Sequence, residues 1–305
     1  MSRISALGER ELIRRVGRWV GKSRSVIRGI GDDCAVLPGP SGKHLLFASD
    51  MLIQGVHFTD KIDPAAVGWK ALAVNVSDAA AMGGIPLYAV VSLGLPPSTP
   101  VAFVENLYRG LRRCAARFGV RIVGGDTDRS PKIVIDVAIL GEVEKSRVVY
   151  RSGARSGDQL FVTGRLGGSL RSGRHLRFVP RVREARLLGA RWRIHAMIDL
   201  SDGLAVDLDR ICEASGVSAR IAAADLPRHG GCSLTQALAD GEDFELLIAV
   251  PRREAKALAA WGKKNLRCGL TRIGEILPRR AGERVQLMAP SGRRLPLPRE
   301  GFRHF

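Results

Sequence analysis

Cysteine is scarce and unpatterned. The five cysteines, Cys34, Cys114, Cys212, Cys232 and Cys268, are odd in number and include no C-x-x-C pair. This argues against a disulfide framework or a zinc site and for a reducing cytosol. Aromatics make up only 5% of the 305 residues and do not interleave with the arginines. Nucleic acid is therefore an unlikely partner, although the formal charge is +18. The most apolar run, from Ile85 to Pro97, holds prolines and is too short to span a bilayer. Met1 to Val20 carries charges throughout and lacks the apolar stretch of a signal peptide, so a cytoplasmic location is expected. No P-loop, no kinase H-R-D and D-F-G set and no strand-linked G-x-G-x-x-G is present. If the chain binds ATP, it does so by another route.

Acids are the minority, 30 against 48 Lys and Arg, yet they gather beside Gly or Ser. The leading example is Gly29-Ile30-Gly31-Asp32-Asp33-Cys34. Adjacent carboxylates repel and are costly to desolvate unless a cation neutralises them. Alone, this hexapeptide reads equally as a solvated turn. The pattern recurs at Ser49-Asp50, Ser77-Asp78, Gly124-Gly125-Asp126, Asp199-Leu200-Ser201-Asp202-Gly203 and Gly241-Glu242-Asp243. That recurrence favours metal binding. Oxygen donors without a Cys/His pattern point to Mg²⁺ rather than zinc.

Along the chain, residues 5 to 20 read as an amphipathic helix stopped by Gly21. Ala35 to Leu37 and His44 to Ala48 read as strands, the second delivering Ser49-Asp50 at its end. Asp63 and Pro64 open a helix that Gly83-Gly84 closes, with apolar residues nearly all round. Asp78 interrupts that buried helix and needs an Arg, a Lys or a metal; a metal is favoured over a structural ion pair. Thr99-Pro100 should cap a helix running to Phe118. Val120 to Val123 reads as a short strand ending at Gly124-Gly125-Asp126, and Lys132 to Leu140 as a further strand. Asp50, Asp126 and the Asp32/Asp33 pair at separate strand ends could then meet Asp78 in one cleft.

The basic polar segment from Arg151 to Asp158 suggests a domain boundary, with domains at 1–145 and 146–305. Arg165 to Arg193 holds nine arginines and one acid, Glu184, and reads as mobile, with any helix near Arg183 to Leu188. Leu160 to Thr163 and Ala196 to Asp199 read as strands. The latter leads through Ser201-Asp202-Gly203 into a helix from about Leu204 to Ala214. Such a helix start favours phosphate, although Asp202 serves equally as an ordinary N-cap. Phe244 to Val250, Arg272 to Ile276 and Val285 to Met288 complete the strands.

In their order and spacing these motifs resemble a known family. The set comprises Gly29 to Ala35, Ser49-Asp50 with Gly55-x-His57, Lys70 to Gly83, Gly124-Gly125-Asp126-Thr127, Arg151 to Ala154, Ile198 to Leu204 and Gly241 to Leu246. It is similar to that of the thiamine-monophosphate kinases, in the superfamily of aminoimidazole ribonucleotide synthetase. The resemblance implies a two-domain α+β fold whose N-terminal domains pair into a barrel across a homodimer. It implies transfer of the γ-phosphoryl group of ATP, with several Mg²⁺ ions, to the phosphate of thiamine monophosphate. Position by position, it assigns metal binding to Asp33, Ser49, Asp50, Asp78, Asp126, Asp199 and Asp202. Gly125, Asp126, Arg151, Ser201 and Tyr108 match nucleotide contacts. His57, Glu242 and Phe302 match substrate contacts. Asp50, Asp126 and Arg151 are the candidate catalytic residues. Ala48 stands where the family carries a hydroxyl, and Phe178-Val179-Pro180-Arg181 replaces a Pro-Ser-Pro-Arg-like element. Two other readings compete: an ATP-dependent synthetase of the same superfamily, and a basic nucleic-acid-binding protein.

Overall fold

The computed structural model describes residues 4–298. Phe302 therefore lies outside the described residues. The first half contains α1 (Ile4–Leu7), α2 (Glu9–Val20), β1 (Ala35–Pro38), β2 (Lys43–Ile53), α3 (Pro64–Ala81), β3 (Ile85–Leu95), α4 (Val101–Phe118), β4 (Arg121–Arg129) and β5 (Val134–Glu144). The second contains β6 (Gln159–Thr163), α5 (Ser169–Ser172), α6 (Val182–Arg191), β7 (Ala196–Asp199), α7 (Leu204–Ser215) and β8 (Ser218–Ala222). It continues with α8 (Leu234–Ala239), β9 (Leu246–Val250), α9 (Arg252–Asn265), β10 (Leu270–Leu277), β11 (Val285–Met288) and β12 (Arg294–Leu295).

Among the described residues the strands form two sheets. The five-stranded sheet has the order β1-β2-β5-β3-β4, antiparallel except for the parallel β3–β4 pair. Its central strand β5 alternates as a strand with one covered face must, while edge strand β4 buries no residue. In β5, Ile135, Val137 and Ile139 point into a core built on α3 and α4. The helices nearly touch at their backbones. A Cβ on Gly68 would lie 2.0 Å from the Leu107 carbonyl oxygen, and one on Gly110 would lie 1.9 Å from that of Ala65. The other face stays open, with Phe47, Met51, Tyr88, Val90 and Val123 exposed.

The seven-stranded sheet has the order β12-β11-β8-β10-β6-β9-β7. Its strands β6 and β9, and the edge strand β7, are buried at every residue. Leu160, Val162, Ile198 and Leu247 meet α7 on one side. Phe161, Met197, Leu246 and Ile248 meet α6 and α9 on the other.

Several elements differ from the sequence reading. Gly8 splits the N-terminal helix into α1 and α2. Strand β2 continues five residues past Ala48, held by its ladder with β5, so Asp50 lies within a strand, opposite Val137. Strand β4 runs through Gly124-Gly125-Asp126 because β3 pairs with it as far as Arg129. Helix α4 begins after Pro100 with no side-chain cap, so Thr99 does not cap it. By contrast, Asp63 does cap α3, its side chain accepting a bond from Ala65 N at 3.0 Å. The arginine-rich stretch is packed rather than loose. Arg181 pairs with the buried Glu245, Arg186 with Glu144, and Phe178 stacks on Phe244 with centroids 4.0 Å apart.

Candidate active site

A cavity of about 620 Å³ lies between the two sheets. Its walls include the Gly31-Asp32-Asp33 turn, β2, α3, Arg151, the end of β7 and the loop at Glu242. The turn is fastened to the segment joining the two halves. Asp32 Oδ1 accepts a bond from Arg151 N at 2.8 Å, and Asp33 Oδ1 accepts one from Arg151 Nη2 at 2.6 Å. Asp33 Oδ2 is buried and has no partner.

Three acids converge here. Asp33, Asp78 and Asp199 each offer an oxygen, and these oxygens lie within 4.8 Å of one another. Asp78 comes from α3 and Asp199 from the end of β7, where Ser77 Oγ donates to its Oδ2 at 2.5 Å. Asp50 adds a fourth carboxyl to the cavity wall. Desolvation raises the pKa of Asp50, Asp78 and Asp199, with neighbouring acids pushing the same way. Desolvation also lifts Asp32 to about 6, partly offset by the bond from Arg151 N. The Arg151 guanidinium faces this cluster; burial works to lower its pKa, but the charge of Asp33 outweighs that and raises it. Arg28 lies 3.7 Å from Asp32. The acids still outnumber these two cations.

The remaining site candidates divide into two groups. Arg151, Ser49, His57, Ser201, Asp202 and Glu242 border the cavity. His57 Nδ1 accepts a bond from Ile53 N at 3.0 Å. Ser49 follows the period of its strand, and its hydroxyl donates to Asp136 Oδ1 at 2.8 Å. Asp202 pairs with Arg210 and is not the N-cap of α7; Gly203 takes that position. The N–H groups of Asp202 and Gly203 both bond Asp207 Oδ2 at 3.1 Å, so those two donors are already filled. Gly125, Asp126 and Tyr108 do not border the cavity. Asp126 is exposed on β4, and its Oδ1 accepts from Thr127 N. Gly125 permits the close approach of β4 to β3, since a Cβ there would lie 1.7 Å from the Val91 carbonyl oxygen.

Sequence reasoning assigned no role to Lys70, Asp136, Asp207 or Arg210, and noted Ser77 only as the neighbour of Asp78. Lys70 carried a usable signal: a lysine amid apolar residues of a buried helix needs an acid. The others act through partners remote in sequence or hidden in a helix, and no local pattern marks them.

Comparisons with known proteins extend this picture. The family model described as AIR synthase related protein, N-terminal domain, matches residues 31–143. The model for the C-terminal domain of the same family matches residues 155–286. A thiamine-monophosphate kinase of Rhodopirellula baltica is 38% identical over 272 residues, 82% of this chain and 84% of that protein. One from Bacillus subtilis is 33% identical over 328 residues, covering 98% of this chain and all of its own length. A solved structure described as AaThiL complexed with AMPPCP and TMP superposes with a TM-score of 0.86 at 34% identity. It covers 100% of this chain and 99% of its own. The two-domain architecture expected of the family is thus present, built from mixed helices and sheets. Among the described residues, no helix is long and apolar enough to cross a membrane. On these matches the chain belongs to the AIR synthase related family and, within it, to the thiamine-monophosphate kinases.

Proposed function

We propose that this protein transfers the γ-phosphoryl group of ATP directly to the phosphate of thiamine monophosphate, forming thiamine diphosphate in the cytoplasm. The observation that carries this reading is the convergence of Asp33, Asp50, Asp78 and Asp199 on one cavity with Arg151. Acids alone would repel a nucleotide. Asp33 Oδ2, buried without a partner, and the close oxygens of Asp78 and Asp199 fit a hard cation such as Mg²⁺. Asp33, Asp50, Asp78 and Asp199 would hold several such ions, with Asp202 and Ser49 as further ligands. Bound there, Mg²⁺ supplies neutralising charge for two polyanions that must meet.

The acceptor oxygen of a phosphate monoester is already ionised near neutral pH, so no general base is required. The chain's own task is to hold, align and screen. Arg151, fixed by Asp33, offers its remaining donors to a phosphate. Ser201 would meet the nucleotide, and His57 and Glu242 the thiamine phosphate; all three border the cavity. Phe302 is the further substrate contact that the family resemblance suggests.

Asp126, Gly125 and Tyr108 enter the same reading through a homodimer. Asp126 pairs with Ser92 across β3, and Ser92 pairs with Asp136 across β5. This row lies on the open, partly apolar face of the five-stranded sheet. Two copies facing each other there close a barrel and bring edge strand β4 of one subunit to the cavity of the other. The segment between β5 and β6 then separates an N-terminal domain at 1–145 from a C-terminal one at 146–305.

Purified protein incubated with Mg·ATP and thiamine monophosphate should form thiamine diphosphate and ADP in equal amounts. Absence of thiamine diphosphate, together with ADP release on a formyl-type or carbamoyl-type substrate, would transfer the assignment to another synthetase of the superfamily.

A further inference from the structure

Among the described residues Lys70 is a fully buried charged side chain, with a relative exposure of 0%. It projects from α3 in the first half and ends at a loop of the second. Its Nζ donates to both carboxylate oxygens of Glu242 at 2.7 Å and to the His57 carbonyl oxygen at 3.2 Å. Those three acceptors use all three ammonium protons. The single amine therefore joins the two residues, His57 and Glu242, that flank one end of the cavity.

The loop bearing Glu242 is held in an unusual shape. Glu242 and Phe244 are non-glycine residues with φ of 54° and 50°. Left-handed backbone at such residues persists only when surroundings over-determine it. Here Glu242 N bonds the Ser201 carbonyl oxygen at 2.7 Å, Phe244 N bonds that of Leu200, and Ser169 Oγ donates to the Glu242 carbonyl. Gly241 cannot relax outward with a side chain, because a Cβ would lie 2.6 Å from the Ser201 oxygen. The backbone thus aims the carboxylate at Lys70, and Lys70 completes the clamp.

We propose that Lys70 is a positioning residue for substrate recognition: it fixes the Glu242 carboxylate so that its free lone pairs meet N–H donors of the bound organic cation. This rests on the kinase reading above. Both oxygens of Glu242 bond the same ammonium, which locks rotation about the terminal torsion. Each oxygen keeps a second lone pair, and the side chain retains 12% exposure on the cavity. A buried lysine serving stability alone would not need an acid that borders a ligand cavity. An apolar replacement of both partners would serve stability as well or better. His175, also buried, is bonded through Nδ1 to the Ser169 carbonyl, and burial, then the charge of Lys70, disfavours its protonation.

The test compares Lys70→Met and Lys70→Gln with the unaltered protein by steady-state kinetics and by calorimetric binding of thiamine monophosphate. Losing a contact made equally in ground and transition states raises KM while leaving kcat alone. Lys70→Met should raise KM for thiamine monophosphate about tenfold or more, with KM for ATP and kcat within about threefold. Lys70→Gln, which keeps one N–H donor toward Glu242, should recover part of that loss. Should Lys70→Met fail to fold, Lys70→Gln carries the comparison alone, with an increase in KM of about threefold as the expected result. Equal KM and binding constant in any folded variant, with only the melting temperature lowered, overturns the proposal. If the unaltered protein fails to phosphorylate thiamine monophosphate, the kinase reading fails first. If it is active and the folded variants match it, only the role of Lys70 fails.

Discussion

The two sheets solve the same burial problem differently. The seven-stranded sheet is finished within one chain. Its strands β6, β7 and β9 have helices on both sides, and no residue in them is exposed. The five-stranded sheet is finished on one side only. Its second face leaves Phe47 48% and Val123 61% exposed beside Ser49, Asp126 and Asp136. Polar and apolar groups mixed on one open sheet face suit an interface that also carries chemistry. One sheet is covered on both faces within the chain, and the other leaves one face open.

The strongest test of this contrast is chemical. Asp50→Asn should lower kcat about a hundredfold or more while the circular dichroism spectrum and melting temperature stay near those of the parent. Unchanged turnover would remove the acid cluster from the reaction. Asp126→Asn should be equally inactive alone, although Asp126 lies outside the cavity of its own chain. On the proposed dimer, co-expressing the two variants should restore roughly a quarter of parental activity, because half of such dimers would hold one intact site. Recovery of none, with mixed dimers demonstrated, would return Asp126 to its own subunit and break the contrast.

Stability measurements probe the same difference more gently. Ile248→Ala, in the closed sheet, should cost about 2–5 kcal/mol of unfolding free energy at any protein concentration. Phe47→Ser, on the open face, should cost less in the single subunit but weaken self-association, so its melting temperature should depend on concentration. A concentration-independent loss as large as that of Ile248→Ala would mean that the face is covered within one chain. The smallest effect concerns Glu144, where a hydrogen bond from Arg186 holds the carboxyl down at about 2. A lowered folded pKa stabilises above the unfolded value and fades as pH falls toward 2. Because the Glu144 side chain is partly exposed, Glu144→Gln should remove under about 1 kcal/mol at neutral pH and almost nothing near pH 2. Equal losses at both would assign the effect to packing.

Much of this was legible in the chain itself. Asp78 declared itself as an acid inside an otherwise apolar helix. The acid motifs pointed to Asp33, Asp50, Asp78, Asp199, Asp202 and Glu242, which border the cavity, but also to Asp126, which does not. The strand limits were less legible. Gly124-Gly125-Asp126 has the composition of a turn, yet pairing with β3 holds it extended, because tertiary ladders override weak local preference. Ser49-Asp50 was read as a strand end for the same reason. The partners of Arg151, Ser77 and Lys70 lie 118, 122 and 172 residues away, beyond any local pattern. The capping of Asp202 N by Asp207 was hidden because two nearby acids compete for one helix start.

Gly68 and Gly110 carry no reactive group, face no cavity and hold no ion. Any side chain at either would drive into a backbone carbonyl of the opposite helix. A saturation screen of this gene scored by growth would rank both glycines beside Asp50 as intolerant. Only assays that separate soluble yield from turnover would tell the two kinds of intolerance apart.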